Sequence, residues 1–198
     1  MNFFETVRGF LMDPVRSFGA VREKTVSNSL PYYIIILAIG SFLSAIVSVA
    51  ITSTVLAALQ EASAKLGLAL PVLTGVGIIA ITLFFIVLGI IGVFIVGAWL
   101  HLFVYLLGGR QGYGQTVKAL MYGSTPLMLI GWIPIIGPVI GGIWSLVLDV
   151  LGIRELHQVS TARAVAAVAL AFLVLAAIIG FIAAFFIIAS STVTPLPV

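Results

Sequence analysis

The chain has 198 residues, of which 62% are hydrophobic and only 8% charged, with a net charge of +3 and no cysteine. Ordinary soluble domains carry about 25% charged residues, so this composition excludes a soluble fold and predicts an integral membrane protein. The apolar runs are continuous and do not alternate with polar residues, which favours helices over a barrel. Without cysteine, disulfides, thiolate metal sites and a cysteine nucleophile are excluded.

Two short amphipathic helices are predicted before the first long apolar run. Apolar residues recur at helical spacing in residues 2–12, opposite a polar face. Asp13 suits an N-cap and Pro14 the first helical position, so a second helix begins there, with Phe18 on its apolar face. We predict that these helices form a cytoplasmic region, residues 1–30, and lie in the headgroup layer as anchors. A partner-binding surface is the alternative.

The first two spans are predicted from the long apolar runs that follow. The first covers residues 31–55, and a loop over residues 57–70 follows it. An unbroken apolar run then extends over residues 72–107, which is longer than the about 20 residues that a helix needs to cross a bilayer. This run predicts one long tilted helix or a helix preceded by an interfacial turn.

Three further apolar segments complete the predicted membrane domain. The third covers residues 117–135 and is broken by Pro126, the fourth is short and covers residues 138–151, and the last covers residues 164–189. The turn between the third and the fourth carries no charge. These two segments are therefore either two full spans or a re-entrant hairpin, and the sequence leaves both alternatives open.

The basic residues predict the orientation of the chain. Eight of the nine precede the first span or follow the second and the fourth, and Lys65 alone falls in a loop of opposite parity. Cytoplasmic loops are enriched in lysine and arginine. We therefore predict an all-α, multi-pass protein of the cell membrane, a five-helix transmembrane bundle with a cytoplasmic N-terminus and an outer C-terminus. Its membrane domain covers residues 31–190, and residues 191–198 form a short outer tail.

Two ionisable residues are predicted at similar depth in the inner leaflet. His101 lies about two turns from the inner end of the second span, and Asp149 about one turn from that of the fourth. A charge buried in a bilayer is costly unless it is paired. We expect Asp149 to pair with His101, or with Arg154 or Arg163, at this candidate intramembrane polar site. A proton or ion relay through Asp149 and His101, or a cytoplasmic recognition surface, are the alternatives.

The inner loops supply the candidate residues for cytoplasmic recognition. These residues are Arg110, Tyr113, Arg154, Glu155, His157 and Arg163. Enzyme chemistry has little support, because Ser124 is not in a G-x-S-x-G elbow and no H-E-x-x-H motif, phosphate loop or carboxylate pair is present. We therefore expect no enzymatic activity, with no catalytic residue, no metal and no cofactor.

Four short motifs follow one another along the chain, and their order and spacing are distinctive. They read DPVRSF, GGRQGYGQTVKA, MYGSTP and IWSLVLDVLGIRELHQVSTARA. Together they resemble the Yip family of multispanning membrane proteins, which is named for interaction with Rab-type GTPases. The family signature falls here on Asp13, Pro14, Phe18, Tyr122, Gly123, Pro126 and Trp144.

The resemblance implies five helices, a cytoplasmic N-terminus and an outer C-terminus. Eukaryotic members act in vesicle traffic between early secretory membranes and have a long cytoplasmic region before the first span. That region is short here, as in prokaryotic-like members. It lacks an acidic leucine-tyrosine-glycine-proline segment, which argues against GTPase binding.

We predict from these observations a non-enzymatic membrane protein that organises or shapes the membrane, or recruits a partner at its cytoplasmic face. The expected partners are the lipid bilayer, a cytoplasmic protein and a second copy of the chain, whereas nucleic acid is not expected. The alternative is a small transporter or channel for an ion, a small solute or a lipid, which would use His101 and Asp149.

Overall fold

A computed structural model describes residues 2–64 and 76–191, and this part of the chain is helical without strands. The helices are α1 (Phe3–Met12), α2 (Pro14–Val21), α3 (Val26–Ala64), α4 (Val76–Leu106), α5 (Tyr113–Gly123), α6 (Thr125–Ile130), α7 (Ile136–His157) and α8 (Thr161–Ser191). The predicted all-α class is therefore confirmed for the described residues.

Four helices in the described ranges are long and apolar enough to cross a membrane. The segments are Val26–Val55, Ile78–Leu106, Ile136–His157 and Thr161–Phe186. Large apolar side chains cover their outer surfaces, with Ile95 and Leu173 each 65% exposed. Such a surface suits hydrocarbon and not water. The chain is therefore a multi-pass membrane protein.

The first two long helices differ from the predicted boundaries. Helix α3 begins at Val26, before the predicted start of the first span, and continues to Ala64 through part of the predicted loop. Helix α4 is continuous from Val76 to Leu106. The rest of that loop, the first residues of the second apolar run and the predicted outer tail beyond Ser191 lie outside the described residues.

The third apolar segment is broken where the sequence predicts it. Helix α5 ends at Gly123 and α6 begins at Thr125, with Pro126 in the first turn of α6. Proline lacks an N–H group and clashes with the preceding turn of a helix, so a new helix begins there.

The fourth segment is longer than predicted. Helix α7 covers Ile136–His157, and so the predicted short segment of residues 138–151 is corrected to one of 22 residues. Its last turns remain helical because they bury Ile153 and Leu156 in the core. The sequence pattern indicated an end at the polar residues that follow, but burial of these two side chains outweighs that signal.

Helices α5, α6 and α7 form an antiparallel unit that we call the central hairpin. Its helices meet at glycines, where a Cβ atom would crowd the facing helix. The facing pairs are Gly152 with Ala119, Gly123 with Asp149, Gly141 with Leu127, and Gly137 with Ile130. The register is therefore continuous along the whole of α7, which is about 33 Å long at 1.5 Å per residue.

Helices α1 and α2 form a second unit, the N-terminal hairpin. The Asp13 carboxylate accepts a hydrogen bond from the backbone N–H of Arg16 at 3.3 Å, and Pro14 opens α2, as predicted. Phe10 and Phe18 are fully buried. The apolar face of the hairpin thus packs on protein, whereas anchoring in the headgroup layer was expected. Lipid contact by the outer face stays a prediction.

Candidate functional site

A chain of polar side chains joins three helices next to the loop that connects α4 to α5. The Nδ1 atom of His101 lies 2.8 Å from Oγ1 of Thr116, and that oxygen lies 2.9 Å from Nε2 of His157. Thr116 and His157 are buried, and the two imidazole rings are 5.8 Å apart. We call these three residues the histidine chain.

The hydrogen bonds of the histidine chain are constrained by the single proton of the threonine hydroxyl. Thr116 donates to one histidine and accepts from the other. The Nδ1 atom of His157 is buried without a partner. If His157 donates through Nε2, its Nδ1 atom carries only a lone pair, and no buried N–H group is left unsatisfied. Thr116 then donates to His101.

Asp149 lies on α7, about two turns before the end of the helix. Its Oδ1 atom is buried without a hydrogen-bond partner, next to the backbone of Gly123. Trp99, Leu100 and Leu120 also line the small cavity that Asp149 borders. A carboxyl group in such surroundings is a rare feature, because burial of an unpaired charge is costly.

The structure does not join Asp149 to the residues expected to pair with it. His101 bonds to Thr116, and Arg154 forms an ion pair with Glu155 at 2.7 Å. Arg163 is exposed, with its guanidinium beside Gly108. The ring of His101 instead lies 5.8 Å from the ring of His157. His157 is about two turns closer than Asp149 to the C-terminal end of α7.

The candidate recognition residues differ in how they are held. Arg110 stacks over the Tyr105 ring at 3.7 Å and donates to the Tyr105 carbonyl oxygen. The Tyr113 hydroxyl donates to the carbonyl oxygen of Phe94 at 2.6 Å. Arg110, Tyr113 and Arg163 are exposed, as contact with a partner requires, but the hydroxyl end of Tyr113 lies within the depth of the candidate span Ile78–Leu106. His157 is buried and belongs to the histidine chain, not to this surface.

Lys118 fixes the N-terminal hairpin to the central hairpin. Although it lies on α5, outside the four candidate spans, its side chain is only 2% exposed. Its ammonium group donates to the carbonyl oxygens of Val21, Arg22 and Lys24 at 3.0, 2.7 and 2.5 Å. Three carbonyl acceptors use all three donors of the charged form.

Two further contacts fix the end of α2. The Arg22 guanidinium donates to the Glu155 carbonyl oxygen at 2.9 Å and lies 3.7 Å from the Glu155 carboxylate. The Gln115 amide donates to the Arg22 carbonyl oxygen at 3.2 Å. Together with Lys118, these side chains satisfy backbone carbonyls that the end of a helix leaves without partners. We call Arg22, Gln115, Lys118 and Glu155 the clamp.

Two of the signature residues, Phe18 and Tyr122, lie where the two hairpins meet. The Phe10 ring stacks on Tyr122 with centroids 4.5 Å apart, and Tyr122 also contacts the Tyr32 ring at 5.0 Å. Phe18 packs closely against Gly152, and a Cβ atom added at position 152 would lie 2.9 Å from the Phe18 ring. Trp144 lies outside this cluster and is 37% exposed.

The sequence interpretation missed Thr116, the packing role of Phe10, and the role of Lys118. Nothing in the sequence marks Thr116, because its partners His101 and His157 are distant in the chain. Lys118 was assigned to a basic inner loop, although it is the only charged residue of a mostly apolar helix, a pattern that favours a buried partner. The described residues contain no cluster of three or more histidine and acidic side chains that could hold a metal.

Comparison with known proteins identifies the family of this chain. Nothing among the curated proteins or the solved structures matches it significantly. The family model of the Yip1 domain matches residues 8–184. The matched range contains the clamp, the histidine chain and the complete central hairpin. The chain therefore belongs to the Yip1 domain family.

Proposed function

We propose that this protein is a non-enzymatic organiser of the cell membrane, which shapes the bilayer or recruits a partner through its cytoplasmic face. The observation that carries this proposal is the N-terminal hairpin, whose buried face is clamped to the bundle while its other face is free. Phe4 and Met12 are 79% and 78% exposed, and Arg8 and Arg16 are exposed beside them.

An exposed face of this composition is typical of a helix that lies in the membrane interface. Apolar side chains enter the acyl boundary, and arginines contact anionic headgroups. The clamp gives this surface a fixed orientation with respect to the spans. Because the bundle holds the N-terminal hairpin rigidly, the side chains that it inserts deform the leaflet at a defined distance from the spans. A flexibly tethered helix has no such fixed distance.

The proposed arrangement has five crossings, with the N-terminus in the cytoplasm. Helices α3, α4, α7 and α8 supply four crossings, and α5 with α6 supplies the third in chain order. Two observations support this count: α5 and α6 run beside α7 along its whole length, and α7 matches a hydrocarbon core of about 30 Å. The distribution of basic residues supports the orientation.

Reconstitution into anionic vesicles tests the membrane-shaping function. We expect the protein to reduce the mean vesicle diameter seen by electron cryomicroscopy, and the double variant Phe4→Ser, Met12→Ser to restore the diameter of protein-free vesicles. The variant Ile133→Ser, Ile136→Ser removes two exposed apolar side chains at the far end of the central hairpin and serves as the control. Equal diameters with and without protein would refute membrane shaping.

Partner recruitment is tested at the exposed residues of the recognition surface. We expect Arg110→Ala, Tyr113→Ala and Arg163→Ala together to release a cytoplasmic protein that co-purifies with the unchanged chain. The control is Arg8→Ala, Arg16→Ala, which removes basic residues from the N-terminal hairpin only. Retention of the same partner by the triple variant would exclude this surface.

A transporter for an ion, a small solute or a lipid is the second candidate function. It is supported by Asp149, whose Oδ1 atom is buried without a partner, and by the break between α5 and α6, since broken helices often line binding sites. Proteoliposome flux with the unchanged protein and with Asp149→Asn tests it. Identical flux in both would remove Asp149 from any transport mechanism.

A further inference from the structure

Helices α4, α5, α7 and α8 line a cavity of about 110 Å³, and Asp149 of α7 is part of the lining. Trp99 and Leu100 of α4, Leu120 of α5, and Ala171 and Phe172 of α8 form its walls. The cavity borders the outer surface of the bundle, because Phe172 is 55% exposed and α8 is a candidate span. A ligand can therefore enter from the bilayer between α4 and α8.

Water is a poor occupant of this cavity. Its volume is several times the about 10–15 Å³ that holds a water molecule, but a stable buried water needs two to four polar partners. Asp149 is the only acidic, basic or amide side chain in the lining. The Trp99 indole N–H does not point to a ligand here, because it already donates to the Ala171 carbonyl oxygen at 3.0 Å.

The chemistry of the walls selects one class of ligand. A carboxylate attracts a cation, and aromatic side chains such as Trp99 and Phe172 in the lining also favour a cation over an anion or a neutral alcohol. The remaining walls are apolar, which suits the chain that carries the cation. We propose that this cavity binds an ammonium group borne on an apolar chain, such as the head of an amino lipid, with Asp149 as its counter-ion.

This proposal is independent of the proposed function. The N-terminal hairpin does not line the cavity, so membrane shaping can fail while ligand binding persists. The proposal also requires binding only and no flux across the membrane, which separates it from the transporter. The histidine chain does not line the cavity either.

Tryptophan fluorescence gives a direct measurement, because Trp99 is in the wall. The other two tryptophans are replaced in the variant Trp132→Phe, Trp144→Phe, which leaves Trp99 as the only emitter. The probes are dodecylammonium brominated at its third carbon and the matching brominated dodecanol, both added to the full chain in neutral detergent. We expect the ammonium probe to quench Trp99 at about tenfold lower concentration than the alcohol.

Three variants make the result specific. Asp149→Asn is expected to remove the preference for the ammonium probe, and Glu23→Gln, an exposed carboxylate outside the cavity, to keep it. Ala171→Leu fills the cavity and is expected to abolish quenching by both probes. Equal quenching by ammonium and alcohol in the unchanged protein would overturn the proposal, and this comparison decides it even if Asp149→Asn fails to fold. Ammonium quenching that persists in Ala171→Leu would overturn it as well.

Competition distinguishes a lipid source from a free amine. If millimolar ethanolamine displaces the brominated ammonium, the site also accepts a water-soluble amine. If only chain-bearing amines displace it, the ligand is a lipid or another amphiphile. Displacement by dodecyl sulfate as effective as that by dodecylammonium would contradict the assigned charge.

Discussion

The Oδ1 atom of Asp149 lies so close to the backbone of Gly123 that a Cβ atom at position 123 would overlap the carboxyl group. Glycine at this position lets α5 and α7 approach closely, as small residues do between transmembrane helices. Gly123 is therefore a packing residue of the central hairpin.

Replacing Gly123 tests this contact. We expect Gly123→Ala to lower the free energy of unfolding by about 1–3 kcal/mol, because the added methyl group forces α5 and α7 apart. Thermal unfolding in detergent measures the effect. Gly142→Ala is the matched control, since nothing lies within 4 Å of a Cβ at position 142 of α7. Equal melting temperatures for the two variants would contradict the assigned packing.

The two phenylalanines of α1 provide a test of how the N-terminal hairpin is held. Phe10 is fully buried against Tyr122, whereas Phe4 is 79% exposed. We expect Phe10→Ala to destabilise the protein by about 3–5 kcal/mol, through the lost burial and the cavity left behind. Phe4→Ala should change the stability in detergent little. A similar loss for both variants would mean that the hairpin is not docked through its Phe10 face.

The sequence predicted where helices begin and break better than it predicted which faces meet. Asp13, Pro14 and Pro126 mark helix boundaries that the structure confirms, because capping and the missing N–H group of proline act locally. The expected pairing of Asp149 with His101 is not formed, since the facing side of α7 depends on its register with α5. That register follows from glycine contacts between distant segments, which no local pattern reveals.

Removing the Thr116 hydroxyl from the histidine chain is expected to lower the free energy of unfolding by more than the loss of one hydrogen bond would. Thr116→Val removes the hydroxyl that serves both His101 and His157, and His157 is then buried without any partner. We expect a loss of about 1–3 kcal/mol in the free energy of unfolding. Thr54→Val is the control, because Thr54 is exposed and bonds only within its own helix. If Thr116→Val causes no additional loss in the free energy of unfolding when His157 is already replaced by phenylalanine, the two residues are coupled as described.

Lys118 predicts that the N-terminal hairpin can be released without unfolding the bundle. We expect Lys118→Met to remove three hydrogen bonds to the carbonyls of Val21, Arg22 and Lys24, and so to speed tryptic cleavage at Arg16 and Arg22 by about tenfold or more. Lys24→Met, which replaces an exposed lysine, is the control. Unchanged cleavage at both sites in Lys118→Met would show that the clamp does not depend on the ammonium group.

The absence of cysteine from the sequence makes the five-crossing arrangement directly testable. Single cysteines at Gln111, Ile133 and Thr192 are labelled with a membrane-impermeant maleimide in sealed vesicles of known orientation. We expect Gln111→Cys to react from the cytoplasmic side only, because it lies in the loop between α4 and α5, and Thr192→Cys from the outer side only.

Ile133→Cys tests the turn between α6 and α7, which is where two full spans and a re-entrant hairpin differ. Reaction from the outer side means that the central hairpin crosses the bilayer, as its length of about 33 Å favours. No reaction from either side, with full labelling after detergent is added, would make the hairpin re-entrant and leave three crossings, with both termini still on the sides assigned here.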